Sequence, residues 1–163
     1  MGQRTDGLLV YGYDLGCEED WKVRERGEYG EPVPGTGGWV PDPEAEEGYD
    51  LIEQAMSHLL AASGFTETYE DGRDGYFGRE DAAKAALGVE FETYCSGEYP
   101  MYVLAACVVT AGRGDVVDAG AAIAAADDAT RQEWDAKLAA ALQVLGLTPV
   151  QDKPRWLLCS YWG

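Results

Sequence analysis

The chain has 163 residues, 46% of them hydrophobic, and its 30 Asp and Glu against 12 Lys and Arg give a formal net charge of −18. This length predicts a single domain over residues 1–163, and the apolar content excludes an intrinsically disordered chain. The negative charge repels phosphate backbones and anionic lipid headgroups, so we expect no direct binding to nucleic acid or to a membrane. Because there is neither a membrane-length apolar run nor an N-terminal targeting pattern, we expect a cytoplasmic location.

The cysteines predict neither a metal site nor a disulfide framework. Cys17, Cys95, Cys107 and Cys159 lie far apart in the sequence. Three of them fall in apolar, strand-like runs, where a free thiol packs as a small hydrophobic group, so we predict that all four are reduced. Zinc needs closely spaced ligand pairs, which are missing, and His58 is the single histidine. We therefore expect no metal and no cofactor.

The chain begins with a predicted buried strand over residues 7–13, followed by a long acidic excursion over residues 14–41. The excursion is rich in Gly, Pro and Glu, and residues 14–50 carry twelve Asp and Glu against three Lys and Arg. A loop of this length within a compact domain is usually functional or hides a short element, for which residues 18–25 are the candidate.

Two helices are predicted. The first begins after Asp42, an N-cap residue followed by proline, and ends at Gly64. The second follows Asp127 and ends at Gly146, with an apolar stripe at helical spacing between them. The Ala-rich run at residues 81–87 predicts a helical turn or two.

Three further strands complete the predicted order, at residues 89–94, 99–110 and 155–162. The resulting order β, α, β, β, α, β is that of the α+β ferredoxin-like βαββαβ plait, a four-stranded antiparallel sheet with two helices on one face. The first and third strands are continuously apolar, which suits the central positions of that sheet, and the second alternates as an edge strand does. The fourth is too apolar for a bare edge, so we expect something to cover it.

One face of a plait is not covered by helices, and side-chain alternation predicts which residues lie there. On the third strand the predicted helix-facing set is Val103, Ala105, Cys107 and Val109. The predicted open face comprises Tyr102, Leu104, Ala106 and Val108 with Tyr11, Tyr13, Glu90, Glu92 and Tyr94. An exposed aromatic face predicts a partner-binding or homodimer surface. The alternative is that the excursion folds over this face with Trp21 and Trp39.

Twelve residues are candidate contacts to a protein partner, eight from the acidic segment and four from the open face. They are Glu18, Glu19, Asp20, Trp21, Trp39, Glu44, Glu46, Glu47, Tyr11, Tyr13, Tyr94 and Tyr102. Acidic residues in this number favour a basic partner, and one hypothesis is that they mimic a nucleic-acid backbone and block a nucleic-acid-binding protein. The alternative is that the charge serves only solubility.

The sequence predicts no catalytic residue, because it has no nucleophile with a recognisable base and no phosphate-binding loop. Residues 70–75 half-match a calcium loop, but Gly72 stands where the third-position ligand belongs, and a plain Asp- and Gly-rich turn is the alternative. A small enzyme using paired carboxylates stays open, since such a pair needs unequal environments that sequence does not show.

The opening Val10-Tyr-Gly-Tyr-Asp-Leu-Gly16, with Trp21-Lys-Val soon after it, resembles the start of small uncharacterised acidic proteins encoded by actinobacteria and their phages. The resemblance is confined to the N-terminal end and implies a source, not active-site residues. A phage origin implies a host-directed inhibitor acting in the host cytoplasm. The sequence thus favours a non-enzymatic protein–protein interaction module, with the nucleic-acid mimic and the small enzyme as alternatives.

Overall fold

The computed structural model describes residues 5–17, 28–29, 51–149 and 151–162. Its elements in chain order are β1 (Thr5–Cys17), α1 (Leu51–Ala62), α2 (Tyr76–Leu87), β2 (Glu90–Ser96), β3 (Pro100–Ala111), α3 (Ala119–Ala125), α4 (Asp128–Leu145) and β4 (Arg155–Trp162). Among these helices, none is both long and apolar enough to cross a bilayer.

The four strands lie close to where the apolar runs predict them. β1 pairs antiparallel with both β3 and β4, and β3 pairs antiparallel with β2. The two continuously apolar strands, β1 and β3, are therefore the inner pair of the antiparallel ladders. The α+β class and the four-stranded sheet are confirmed.

The predicted all-antiparallel sheet with two edge strands is wrong. β2 also pairs with β4 in parallel, through Cys95 with Tyr161 and Ser96 with Trp162, so the sheet is mixed and closes on itself in the order β1-β3-β2-β4. Cys95, which pairs with Tyr161 at this closure, has a φ of 74°, in the left-handed region. The closing pair gives the apolar β4 a second partner besides β1, so β4 is not a bare edge where it pairs with β2.

The described residues contain four helices where the plait has two, and the described elements follow the order β-α-α-β-β-α-α-β. α2 is longer than the turn predicted at residues 81–87 and lies between two left-handed glycines, Gly75 and Gly88. α3 lies in a stretch, residues 111–126, where the sequence predicts no element. It has no buried residue, so it lacks the apolar stripe that makes a helix recognisable from sequence.

The predicted helix ends are confirmed where the structure describes them. Asp127 caps α4 by accepting the Thr130 N–H at 2.8 Å, and Gly146 follows that helix with a φ of 62°. Gly64, with a φ of 96°, follows α1 in the same way. The predicted start of the first helix at Asp42 lies outside the described residues.

The described residues fall into two compact units. The first unit contains the four strands, α3 and residues 128–139 of α4, and its core is a cluster of Leu8, Val10, Val103 and Ala105. The second unit contains α1, α2 and residues 140–148, and α1 contributes three buried side chains to it: Ala55, Leu59 and Leu60. The single domain predicted from chain length stays a prediction.

The two sheet faces carry other residues than simple alternation predicts. Tyr11, predicted on the open face, packs against Trp134 of α4 with ring centroids 5.4 Å apart, so its face is the helix-covered one. Glu92 and Tyr94 lie opposite Val103 and Met101 on the other face. A one-residue difference in strand register moves a whole set of side chains to the other face of the sheet. For this reason the predicted grouping of β1 and β2 side chains on one face is wrong.

A bulge divides the set predicted to face the helices on β3. Tyr11 lies opposite Cys107 but Gly12 lies opposite Ala105, so one residue of β3 is extra at this point. Beyond the bulge the alternation is inverted, and Val108 packs on the same core cluster as Ala105. Cys107 lies beside Tyr11 instead.

Candidate functional site

Most of the candidate partner contacts fall in a segment that the structure does not describe. The eight outside the described residues are Glu18, Glu19, Asp20, Trp21, Trp39, Glu44, Glu46 and Glu47. Their role in partner binding stays a prediction.

The four candidate tyrosines separate into two groups. Three of them, Tyr11, Tyr13 and Tyr102, are only 7–8% exposed, so their rings belong to the core. The prediction that they lie on an open sheet face is wrong. Tyr94 lies on the opposite face of the sheet and is half-buried.

Tyr11 fastens α4 to the sheet. Its ring lies 5.4 Å from the rings of both Trp134 and Trp156, and its hydroxyl donates to Asp135 Oδ1 at 2.9 Å. Burial, followed by this hydrogen bond, raises the pKa of Tyr11 to about 12. The contact is structural, because it joins two elements and leaves the ring inaccessible.

The side chain of Tyr94 lines a cavity of about 420 Å³ in the first unit, which we call the Asp14 pocket. Its walls combine one carboxylate, two thiols and several apolar groups. The lining residues are Asp14, Tyr94, Cys95, Met101, Gln151, Leu157, Leu158, Cys159 and Ser160. A cavity of this size with a few convergent polar groups is typical of a small-molecule site.

Asp14 is the most firmly held polar residue of the pocket. The Tyr94 hydroxyl donates to Asp14 Oδ1 at 2.8 Å, and the Gly16 N–H donates to the same oxygen at 2.9 Å. The backbone N–H of Asp14 donates to Gln151 Oε1 at 2.9 Å. The carboxylate is therefore fixed in orientation by groups from β1 and β2, and the segment before β4 holds the backbone of Asp14.

Two irregular backbone positions lie at this pocket. The register of β1 on β3 shifts between Asp14 and Gly16, and Gly16 has a φ of 72°. Cys95 is the single non-glycine residue of the described part of the chain with a positive φ. Bulges re-aim side chains, and left-handed non-glycine residues cost about 1–3 kcal/mol and cluster at functional sites. Both features therefore mark the Asp14 pocket as a candidate site.

Proton affinities at the pocket are set mainly by burial. Burial, then the hydrogen bond to Asp14, raises the pKa of Tyr94 well above its ordinary value. Burial, then the charge of Asp14, raises the pKa of the Cys159 thiol. Tyr94 and Cys159 are therefore neutral at physiological pH, and neither is prepared as a base or a nucleophile.

A second candidate surface lies in the second unit, where four aromatic rings form what we call the α2 aromatic cluster: Phe65, Tyr69, Tyr76 and Phe77. Successive ring centroids are 5.5–6.1 Å apart. Yet Tyr69 is 50% exposed and Phe77 63% exposed, and α2 contains no buried residue. The rings therefore pack on one another and remain accessible.

Arg79 holds the loop that carries Tyr69. Its Nε lies 2.8 Å from Glu67 Oε2, and its two terminal nitrogens donate to the backbone carbonyls of Asp74 and Gly72 at 2.8 and 2.9 Å. This loop is the one that half-matches a calcium site. Within the described residues, no group of three or more His, Cys, Asp and Glu side chains is arranged to hold a metal ion.

Acidic residues lie close in sequence to the residues of the α2 aromatic cluster. Six lie on the loop and on α2: Glu67, Glu70, Asp71, Asp74, Glu80 and Asp81. Of the neighbouring cations, Arg79 is paired with Glu67, and Lys84 is paired with Glu80 at 3.2 Å. The surface thus combines aromatic rings with excess negative charge.

Sequence reasoning missed this cluster because residues 66–87 have turn-like composition. The available signal was the spacing of four aromatic residues within 65–77 without other large apolar side chains. His58, the single histidine, is exposed on α1.

We compared the chain with protein-family models, with curated proteins and with solved structures, and none of the three comparisons gave a match.

Proposed function

We propose that this protein is a non-enzymatic interaction module that binds a basic protein partner through the α2 aromatic cluster. The observation that carries the proposal is the exposure of Tyr69 and Phe77 on a loop and helix with no buried side chain in the helix. Monomeric proteins seldom leave contiguous large apolar groups in water without a use for them. Aromatic residues are also the most frequent energetic anchors of protein interfaces.

The charge of the chain favours a basic partner over a second copy. Two copies at −18 each repel one another, whereas a basic surface is attracted over the same range. Aromatic faces attract Arg and Lys through the ring quadrupole, and nearby carboxylates add to this attraction. The cluster therefore suits a surface rich in Arg or Lys.

The experiment is affinity capture from an actinobacterial lysate, the source that the N-terminal resemblance implies, at low and high salt. The test variant is the double substitution Tyr69→Ala and Phe77→Ala. The control is Val116→Ala, which removes a side chain that is 99% exposed in the first unit. The control should change stability by about 0.5 kcal/mol or less. The double variant also loses ring contacts within the cluster, each worth about 0.5–1.5 kcal/mol, so urea unfolding is used to show that it is folded under the capture conditions.

We expect the parent chain and Val116→Ala to capture the same basic protein at low salt, and the double variant to bind it roughly 100-fold more weakly. High salt should weaken the complex. Equal binding by the double variant, or salt-resistant self-association as the only product, would sink the proposal. A captured nucleic-acid-binding protein that is displaced by DNA would favour the mimicry hypothesis.

A further inference from the structure

We propose that the Asp14 pocket binds a small organic cation, a primary ammonium or guanidinium group carried on a short apolar body. The pocket lies in the first unit, whereas the α2 aromatic cluster lies in the second. This proposal therefore stands or fails separately from protein-partner binding.

The charge of the ligand follows from the lining residues. Asp14 is the one formally charged side chain among them, and both donors that hold it bond to the same oxygen, Oδ1. Within the described residues no hydrogen bond reaches its second oxygen, Oδ2, which we assign as the acceptor for the ligand. Because Tyr94 and Cys159 remain neutral, the pocket carries a single negative charge that a monovalent cation neutralises.

The shape of the ligand follows from the walls. Met101 and Leu157 lie on the same face of the sheet as Asp14 and Tyr94, and they present apolar surface beside the carboxylate. Both are partly buried, and a ligand with an apolar body would remove more of these side chains from water, at about 25 cal/mol for each Å² buried. A hydrophilic cation would leave them uncovered.

A metal ion fits the pocket less well than an organic cation. Hard cations such as Ca²⁺ and Mg²⁺ take six or more oxygen ligands, and Asp14 supplies the single carboxylate. Across the described part of the chain, no three potential metal-binding side chains converge. One carboxylate beside apolar side chains instead suits an organic cation, whose charged group forms one ion pair and whose apolar body packs against those side chains.

The pocket is also preorganised before any ligand enters. Asp14 is aimed by the irregular pairing at Leu15 and by the left-handed Gly16, and Cys95 is held in its strained conformation by the closing of β2 on β4. Preorganised groups lose little conformational entropy on binding, so even a small ligand retains most of its interaction energy.

The test uses four probes of matched size and different charge: hexylammonium, butylguanidinium, neutral hexanol and hexanoate. Binding to the intact chain is followed by NMR shifts of the methyl groups of Met101 and Leu157. We expect saturable shifts with the two cations and none with hexanoate, with hexanol roughly 10-fold weaker than hexylammonium. Equal binding of hexanol and hexylammonium, or no saturable shift with either cation, would overturn the proposal.

Two substitutions sharpen this test. Asp14→Asn keeps the shape of the side chain and removes its charge, and we expect it to weaken cation binding roughly 10- to 100-fold. Glu53→Gln makes the same change in net charge at an exposed residue of α1 and should leave binding unchanged. An Asp14→Asn chain that binds hexylammonium like the parent would refute the role of the carboxylate. If that variant does not fold, the comparison of the four probes on the parent chain still decides the matter.

Discussion

Tyr11 shows how a single side chain links the sheet to a helix in this protein. Its phenol is buried against two tryptophans and donates to Asp135 Oδ1, so the charged phenolate is disfavoured in the folded chain. The pKa is raised from 10.0 to about 12. Between these values the folded chain keeps a proton that the unfolded chain releases, so stability is fully present below pH 10 and falls as the pH rises towards about 12.

We predict that Tyr11→Phe makes the free energy of unfolding less dependent on pH in this alkaline range. At neutral pH the substitution should cost about 1 kcal/mol, the net value of one hydrogen bond, because Asp135 is exposed and can be hydrated. Urea unfolding at neutral and alkaline pH measures both effects. Tyr99→Phe, at a ring that is 74% exposed, is the control and should leave both unchanged. An alkaline slope equal to that of the parent chain would show that Tyr11 is not the group responsible.

Two glycines show how differently β1 and α2 depend on their surroundings. A Cβ atom on Gly12 would overlap the Leu104 carbonyl oxygen and lie 2.8 Å from Cα of Ala105, so β1 approaches the backbone of β3 too closely for any side chain. A Cβ atom on Gly78, inside α2, would meet nothing within 4 Å. The first glycine is required by packing, and the second is not.

We therefore predict opposite results for the same substitution in the two elements. Gly12→Ala should destabilise the fold by about 3 kcal/mol, because backbone atoms must move to relieve the overlap. Gly78→Ala should stabilise α2 by about 0.5–1 kcal/mol, since alanine is the better helix former. Urea unfolding followed by circular dichroism measures both. A Gly12→Ala chain as stable as its parent would contradict the close approach of β1 to β3.

The strands and helix ends were predictable because they depend on local composition. Apolar runs mark β1 and β3, and a capping aspartate and a terminal glycine mark the ends of α4. The face assignments failed because they depend on pairing. The bulge at Gly12 and the register of β2 each invert the direction of a set of side chains, and neither leaves a trace in the sequence of one strand.

At the scale of the whole molecule, the formal charge of −18 sets how the protein responds to salt. Self-repulsion between carboxylates disfavours the compact state, and salt shortens its range to about 10 Å at 0.1 M. We predict that sodium chloride raises the free energy of unfolding by an amount on the order of 1 kcal/mol, which is seen as a higher urea midpoint.

Sodium sulfate at matched ionic strength is the control for this prediction, because sulfate also stabilises proteins by exclusion from their surface. The same rise in both salts would indicate screening, and a rise in sulfate alone would indicate exclusion. A midpoint that falls with chloride would contradict the importance of self-repulsion.

The amino-acid sequence by itself determined the α+β class, the strand positions, the inner placement of β1 and β3, and the net charge of −18. These features depend on composition and on periodicity along the chain. Tertiary structure alone decided that three candidate tyrosines are core residues, that Asp14 and Tyr94 meet across 80 positions of sequence, and that Tyr69 and Phe77 remain exposed. The first two depend on strand register and on bulges, which bring distant residues together through pairing that no single segment encodes.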